Sequence, residues 1–212
     1  MDELLLSKSD EMSCPDLWEP ESEQKKQGYV VICGVDEAGR GALAGPVFAA
    51  AVILPFAVEL KGLNDSKKLT AAQRERLFNE ITSIAVSYSI AKAEHDEIDA
   101  INILNASLLA MNRAIGNLSV KPDIALIDGN QNSGITNCSK CITGGDGKSA
   151  SIAAASILAK VSRDRYMTDI SAVYSQYAFD KHKGYGTKLH YEKLREFGAS
   201  DIHRNTFLKR LH

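Results

Sequence analysis

The sequence predicts an α/β domain, and three observations carry that prediction. Short apolar runs rich in β-branched residues recur at 30–35, 47–54 and 124–127. Longer stretches with helical periodicity and recognisable caps lie between and after them. Strands mixed with helices in this way are the pattern of an α/β layer architecture. The chain contains no internal repeat, coiled coil or low-complexity tract. Its 212 residues fit one full domain with short appendages.

Residues 1–27 are polar, acidic and aperiodic, so a flexible N-terminal extension is expected there, with the fold proper over 28–212. The first strand is expected in Gly28–Val35, stopping at the glycine-rich Asp36-Glu37-Ala38-Gly39-Arg40-Gly41. Val47–Leu54 reads as the next strand, paired with the first as a hairpin. Thr70 is a natural N-cap for a helix beginning Ala71-Ala72, with Gln73 in the capping-box position. Ile84–Ala91 alternates like a strand. His95–Ile115 shows an apolar helical face at Ile98, Ile101, Leu104, Leu108 and Met111. Ile124–Ile127 is a short buried strand ending in Asp128, and 130–147 reads as a loop or short hairpin. Ser149–Arg165 is a helix rich in alanine and aliphatics, and a last helix runs to Phe197 with Gly198 as its stop.

Composition narrows the functional class. The acidic start has an apolar run of three leucines only, unlike a signal peptide. The most apolar stretch, Ala42–Val58, is broken by Gly45, Pro46 and Pro55 and is too short to span a bilayer. No membrane association is expected. Four irregularly spaced cysteines point to reduced thiols and a cytoplasmic location. Cys138-Ser139-Lys140-Cys141 lacks the second ligand pair of a zinc site and reads as incidental. Gly144–Ser149 lacks the leading glycine of a nucleotide phosphate loop, because position 142 is isoleucine. The net charge of −2 hides an uneven distribution: residues 160–212 hold 11 Lys/Arg against 6 Asp/Glu, a basic quarter that could face phosphates.

The informative acids are Asp36, Glu37, Asp128 and Asp146, each near the end of a predicted apolar element. Hydrolysis of a phosphodiester is served by two cations held by several carboxylates, and Mg²⁺ favours such hard oxygen ligands. Singly, each acid is equally suited to a turn or a helix cap. Adjacent strand residues face opposite sides, so Asp36 and Glu37 can share a site only where the strand ends.

Five segments, in order, resemble the ribonuclease HII family: 35–41 (VDEAGRG), 64–69 (NDSKKL), 127–130 (IDGN), 145–146 with 151–161 (GD and SIAAASILAKV), and 182–187 (HKGYGT). The resemblance spans roughly residues 29–212. It implies a ribonuclease H-like mixed sheet flanked by helices, with a C-terminal helical segment that helps hold the substrate. It also implies an endoribonuclease cutting the RNA strand of RNA–DNA hybrids on the 5′ side of ribonucleotides, including single ones embedded in duplex DNA. Water is the nucleophile, so 3′-hydroxyl and 5′-phosphate ends result. The implied metal ligands and catalytic acids are Asp36, Glu37, Asp128 and Asp146, holding Mg²⁺ or Mn²⁺, two ions when substrate is bound. Asp164 is assigned instead to an ion pair on its own helix.

Reading a 2′-hydroxyl needs close backbone approach, which Gly39-Arg40-Gly41 suits. The resemblance assigns that segment, with Tyr185, to the junction between a ribonucleotide and the next deoxyribonucleotide. Ser66, Lys67, Lys148 and Ser149 are expected phosphate contacts. Lys160, Lys181, Lys183, Lys188 and Arg204 are expected to extend the basic face. The absence of a larger N-terminal domain and of a Gly-Lys-Gly segment favours type 2 over type 3 enzymes. A monomer serving ribonucleotide excision repair and DNA replication is the corresponding expectation.

Overall fold

A computed structural model of the chain describes residues 17–209. Its five strands are β1 (Ile32–Ala38), β2 (Val47–Ile53), β3 (Ser87–Ala93), β4 (Ile124–Asp128) and β5 (Ser139–Ile142). They lie in the order β3-β2-β1-β4-β5. β2 is antiparallel to both its neighbours, whereas β1, β4 and β5 run parallel, giving the expected mixed sheet. The β1–β2 hairpin is present as expected. Residues 130–147 form no hairpin: the chain returns as β5, a parallel edge strand. Its four half-buried residues show none of the apolar alternation that would have announced a strand.

The helices are α1 (Glu19–Lys26), α2 (Ala71–Ile84), α3 (His95–Gly116), α4 (Ala150–Ile170), α5 (Phe179–His182), α6 (Lys188–Phe197) and α7 (Asn205–Leu208). Thr70 and Gln73 form the capping box of α2, with Gln73 Oε1 accepting from Thr70 N at 2.8 Å. That helix runs on to Ile84, so β3 starts three residues later than its alternation suggested. α3 carries a break at Asn102, whose φ of 66° interrupts the helix. Gly198 ends α6 with φ 75°.

Strand alternation sorts the core into two layers. Cys33 and Val35 of β1, with Val47, Ala49, Ala51 and Ile53 of β2, pack against α3. Ala38, Ala50 and Val52 project to the other face, beneath α2 and α4. α4 is the central helix: all of its first ten residues are buried, because its alanines let it lie close on the sheet.

The N-terminal segment departs from the expected flexible extension. From Leu17 onward it is part of the domain: α1 packs on the start of α4, with Glu21 and Gln24 buried. Its polar sequence concealed this, because what it buries is a hydrogen-bonded carboxylate rather than an apolar stripe. Residues 1–16 of that expectation lie outside the described residues. No helix among the described residues is long and apolar enough to cross a membrane.

Candidate active site

β1 and β4 are adjacent and parallel, so their C-terminal ends open on one edge of the sheet. Their register stops at Val35 opposite Ile127, which leaves Asp36 and Asp128 just beyond the shared ladder. Asp146 comes from a 3₁₀ turn, Gly145–Gly147, immediately before α4. One carboxylate oxygen from each of these three aspartates lies within 4.8 Å of the others.

Glu37 stands apart from this trio, for a reason set by the pleat. The even-numbered residues of β1 face α4, so Asp36 joins the side on which Asp146 lies. Glu37 points toward α3, where it lines a hollow of about 140 Å³ with Ser107 and Met111. It also borders the main cavity, of about 460 Å³, together with Asp36, Asp128, Lys67 and Tyr185. Arg40 lies 3.4 Å from its Oε1. The sheet edge thus divides the acids into a cluster of three and one outlier within the same opening.

Burial makes this group electrostatically costly. Desolvation, reinforced by the charges of Glu37 and Asp128, holds the Asp36 carboxyl well above the usual carboxylate range. Burial also raises Glu37, although Arg40 opposes the shift. Asp128 is raised by burial and by Asp146, against the Gly145 N–H that its Oδ1 accepts at 2.7 Å. Lys67, 3.3 Å from Asp146 Oδ2, is a nearby cation but stands largely in solvent. Three clustered carboxylates beside one exposed lysine form an under-neutralised donor set. Hard oxygens crowded in this way fit a divalent cation such as Mg²⁺ or Mn²⁺.

The Gly39-Arg40-Gly41 loop is braced from beneath by two arginines that burial alone would disfavour. Arg204, 0% exposed, donates to the carbonyls of Gly39 (2.8 Å), Arg40 (2.9 Å) and Gly45 (2.9 Å). It therefore belongs to the framework and not to the basic face expected from the sequence. Arg163, equally buried, donates to the carbonyls of Ala44, Pro46 and Lys183. Gly39 has φ +101°, and a Cβ there would fall 2.0 Å from Arg163 Nε, so both conformation and contact require glycine. Around Gly41 a Cβ would meet nothing within 4 Å, which leaves that backbone open.

Tyr185 bridges to Ala42 and so stands beside this loop, lining the same cavity. Arg163 Cζ and Lys160 Nζ lie 5.1 and 5.5 Å from its ring centroid. Behind it, two neutral histidines form a relay whose tautomers follow from their partners. Ser200 N donates to His203 Nδ1, so His203 Nε2–H donates to His190 Nε2 at 3.0 Å, and His190 Nδ1–H donates to the Tyr185 carbonyl at 3.0 Å. His203 is accordingly a buried framework residue, not a surface group.

The expected phosphate contacts divide. Lys67 reaches the cavity. Ser66 lines it, but its buried hydroxyl is already bonded to Ser156 at 2.9 Å. Ser149 is fully buried: its Oγ donates to Glu21 and accepts from Ile152 N, which makes it a helix cap and not a phosphate ligand. Lys148 Nζ donates to the Thr143 carbonyl and borders a separate hollow beside α1. Asp164 pairs with Lys160 at 2.8 Å. Cys33, Cys138 and Cys141 are free thiols. Ser156 and Lys160 complete the cavity lining; Lys160 belongs to the expected basic face, whereas only the place of Ser156 on the buried stripe of α4 hinted at its role.

Comparison with known proteins agrees with this fold. The chain is 53% identical over 194 residues to a ribonuclease HII of Caldicellulosiruptor saccharolyticus, covering 92% of this chain and 95% of that protein. The crystal structure of the ribonuclease H2 from Pyrococcus horikoshii OT3 superposes with a TM-score of 0.69 at 27% identity, over 84% of this chain and 93% of that one. The structure of Bst-RNase HIII in complex with Mn²⁺ shares the fold at a TM-score of 0.62 and 19% identity, over 80% of this chain and 63% of that one. The "Ribonuclease HII" family model matches residues 33–211, which run from the strand bearing Asp36 through the helices that brace its loop. The chain therefore belongs to the ribonuclease HII family.

Proposed function

We propose that this ribonuclease H-type endonuclease of RNA–DNA hybrids also cuts at single ribonucleotides embedded in duplex DNA, on their 5′ side, leaving 3′-hydroxyl and 5′-phosphate ends. The observation that carries the reading is the Asp36–Asp128–Asp146 cluster facing an open, arginine-braced glycine loop across one cavity. Asp36, Asp128 and Asp146, with Glu37 at the rim, would hold Mg²⁺ or Mn²⁺, as the Mn²⁺ complex of the Bst-RNase HIII relative illustrates for the fold. Bound there, such ions supply charge stabilisation for a pentavalent phosphorus and lower the pKa of water.

The chain's own groups supply recognition. Exposed backbone at Gly41 and the Arg40 side chain approach the sugar and its 2′-hydroxyl, the group that separates RNA from DNA. The Tyr185 ring offers a face on which the next deoxyribose packs, held by Lys160 and Arg163. Lys67 binds phosphate by charge. Water adds to phosphorus, the P–O3′ bond breaks, and the 3′-oxygen takes up a proton and departs as a hydroxyl. The reading is of a monomer acting in the cytoplasm.

The test is cleavage of a DNA duplex carrying one ribonucleotide, by wild type and Asp146→Asn, in Mg²⁺ and in Mn²⁺. The expected result is a metal-dependent cut 5′ of the ribonucleotide, lost in the variant, with ends that a polymerase extends. Cleavage of continuous hybrids but not of this duplex would remove the embedded-ribonucleotide reading. Ends that cannot be extended would remove the assignment of water as nucleophile.

A further inference from the structure

Asp146 is the one member of the trio that does not sit on the sheet, and the group that fixes its turn lies outside the cavity. The turn leads within three residues into α4, whose first N–H groups have no partner inside the helix. Ala150 N donates to the Leu17 carbonyl (2.8 Å), Ser151 N to Glu21 Oε1 (3.0 Å), and Ile152 N to Ser149 Oγ (3.2 Å). Ser149 Oγ and Ser151 Oγ also donate to Glu21 Oε1, at 2.7 and 2.6 Å. A single oxygen of Glu21 thus ties both serines and the helix backbone to α1. The residue is 2% exposed, and its Oε2 has no hydrogen-bond partner, an arrangement that costs free energy unless the position of the carboxylate matters.

The other side of the same turn of helix is pressed onto β1. A Cβ at Gly34 would lie 2.1 Å from the Ser151 carbonyl carbon, so backbone meets backbone two residues before Asp36. Ser149 N in turn donates to the Gly145 carbonyl at 2.8 Å, which links the helix start to the turn bearing Asp146. Gly145 N reaches back to Asp128 Oδ1. The start of α4 is therefore wedged between β1 and α1, and Asp146 rides on it.

We propose that Glu21 is a positioning residue of the nuclease. It touches none of the four acids, yet by locking the N-terminus of α4 it holds Asp146 at the separation from Asp36 and Asp128 that a shared divalent cation needs. The inference rests on the reading of those acids as metal ligands. It assigns a catalytic consequence to α1, which precedes the 33–211 stretch matched by the family model.

The experiment measures Mn²⁺ binding to the substrate-free full chain, through the paramagnetic resonance signal of the free ion, for wild type, Glu21→Ala, Glu21→Gln and Ile115→Ala. Ile115 is buried on α3, on the opposite face of the sheet, and its truncation serves as a control for general destabilisation. Loss of a residue that orients a metal ligand is expected to weaken Mn²⁺ binding about ten-fold in Glu21→Ala. Glu21→Gln, which keeps one oxygen acceptor, should fall between that variant and wild type. Ile115→Ala should lower Tm yet bind Mn²⁺ as wild type does. Cleavage by Glu21→Ala should recover as metal is raised, so that the metal midpoint moves more than kcat. Wild-type Mn²⁺ affinity in a folded Glu21→Ala, or an equal loss in Ile115→Ala, overturns the proposal while leaving the metal site standing. Should the alanine variant not fold, an unchanged affinity in Glu21→Gln overturns it equally. A wild type that binds no Mn²⁺ removes the metal reading itself, and this inference with it.

Discussion

Asp128→Asn in metal-free protein separates two consequences of one charge cluster, because the substitution should abolish cleavage while making the fold more stable. Asparagine keeps the Oδ1 acceptor for the Gly145 N–H, so the 2.7 Å bond and the side-chain volume survive. What disappears is one negative charge among three whose oxygens lie within 4.8 Å. At an effective dielectric constant of about 20, two unit charges at that separation repel by roughly 3.5 kcal/mol. The raised pKa of Asp36 and of Asp128 and the nearby Lys67 each reduce this, leaving a net gain of about 2 kcal/mol. For a chain of this length such a gain raises Tm by roughly 4–8 °C. The sign can be checked by pH. A carboxyl raised in the folded state binds more protons there than when unfolded, so its penalty grows as pH rises through the folded pKa and vanishes in acid. The advantage of Asp128→Asn should therefore shrink on acidification, and Mn²⁺ should raise the Tm of wild type more than that of the variant. Calorimetry with and without chelator measures each quantity. A metal-free variant no more stable than wild type would refute the view of the trio as mutually repelling carboxylates.

Three further outcomes follow from the framework of the site. Arg204→Ala leaves the Gly39, Arg40 and Gly45 carbonyls without their donor, and should cost about 3–5 kcal/mol in chemical denaturation and raise KM for hybrid; unchanged stability would mean that solvent replaces the guanidinium. Tyr185→Phe should retain most cleavage at an embedded ribonucleotide, since the ring and its contacts with Arg163 and Lys160 remain. Tyr185→Ala should lower kcat/KM there about ten-fold or more, and equal losses in the two variants would assign the role to the hydroxyl. Burial first, then the other histidines, lowers the His190 pKa to about 4, and burial lowers His203 to about 4 as well. Unfolded histidine titrates near 6.5, so between these values the unfolded chain binds more protons and stability falls as pH drops through that window. The first histidine to charge contributes on the order of 3 kcal/mol, and a shallower fall of Tm between pH 6.5 and 4 in the His190→Phe variant than in wild type is the result to look for, since His203 still titrates there. A wild-type Tm that does not fall in that window would refute the neutral relay.

Much of this protein was legible without coordinates, because several of its signals are local. The α/β class, the capping box at Thr70, the stop at Gly198 and the acids at strand ends depend on neighbours a few residues away, where period and turn chemistry operate. The tertiary structure decided everything that depends on direction and burial. Alternation along β1 sends Asp36 and Glu37 to different faces, so adjacency in sequence produced separation in space. Arg204 and His203 have the polar composition of surface residues and are buried, since partners some 160 residues distant satisfy the arginine and Ser200 and His190 satisfy the histidine. Ser149 has the chemistry of a phosphate ligand, but a carboxylate 128 residues earlier in the chain already occupies it. Residues 19–26 lacked the apolar stripe by which a buried helix is recognised, because the bond that ties them down is a charge accepting three hydrogen bonds. Periodicity reports what is apolar and near in sequence, whereas a buried polar network is defined by which distant donor meets which acceptor, and only the folded chain supplies that pairing.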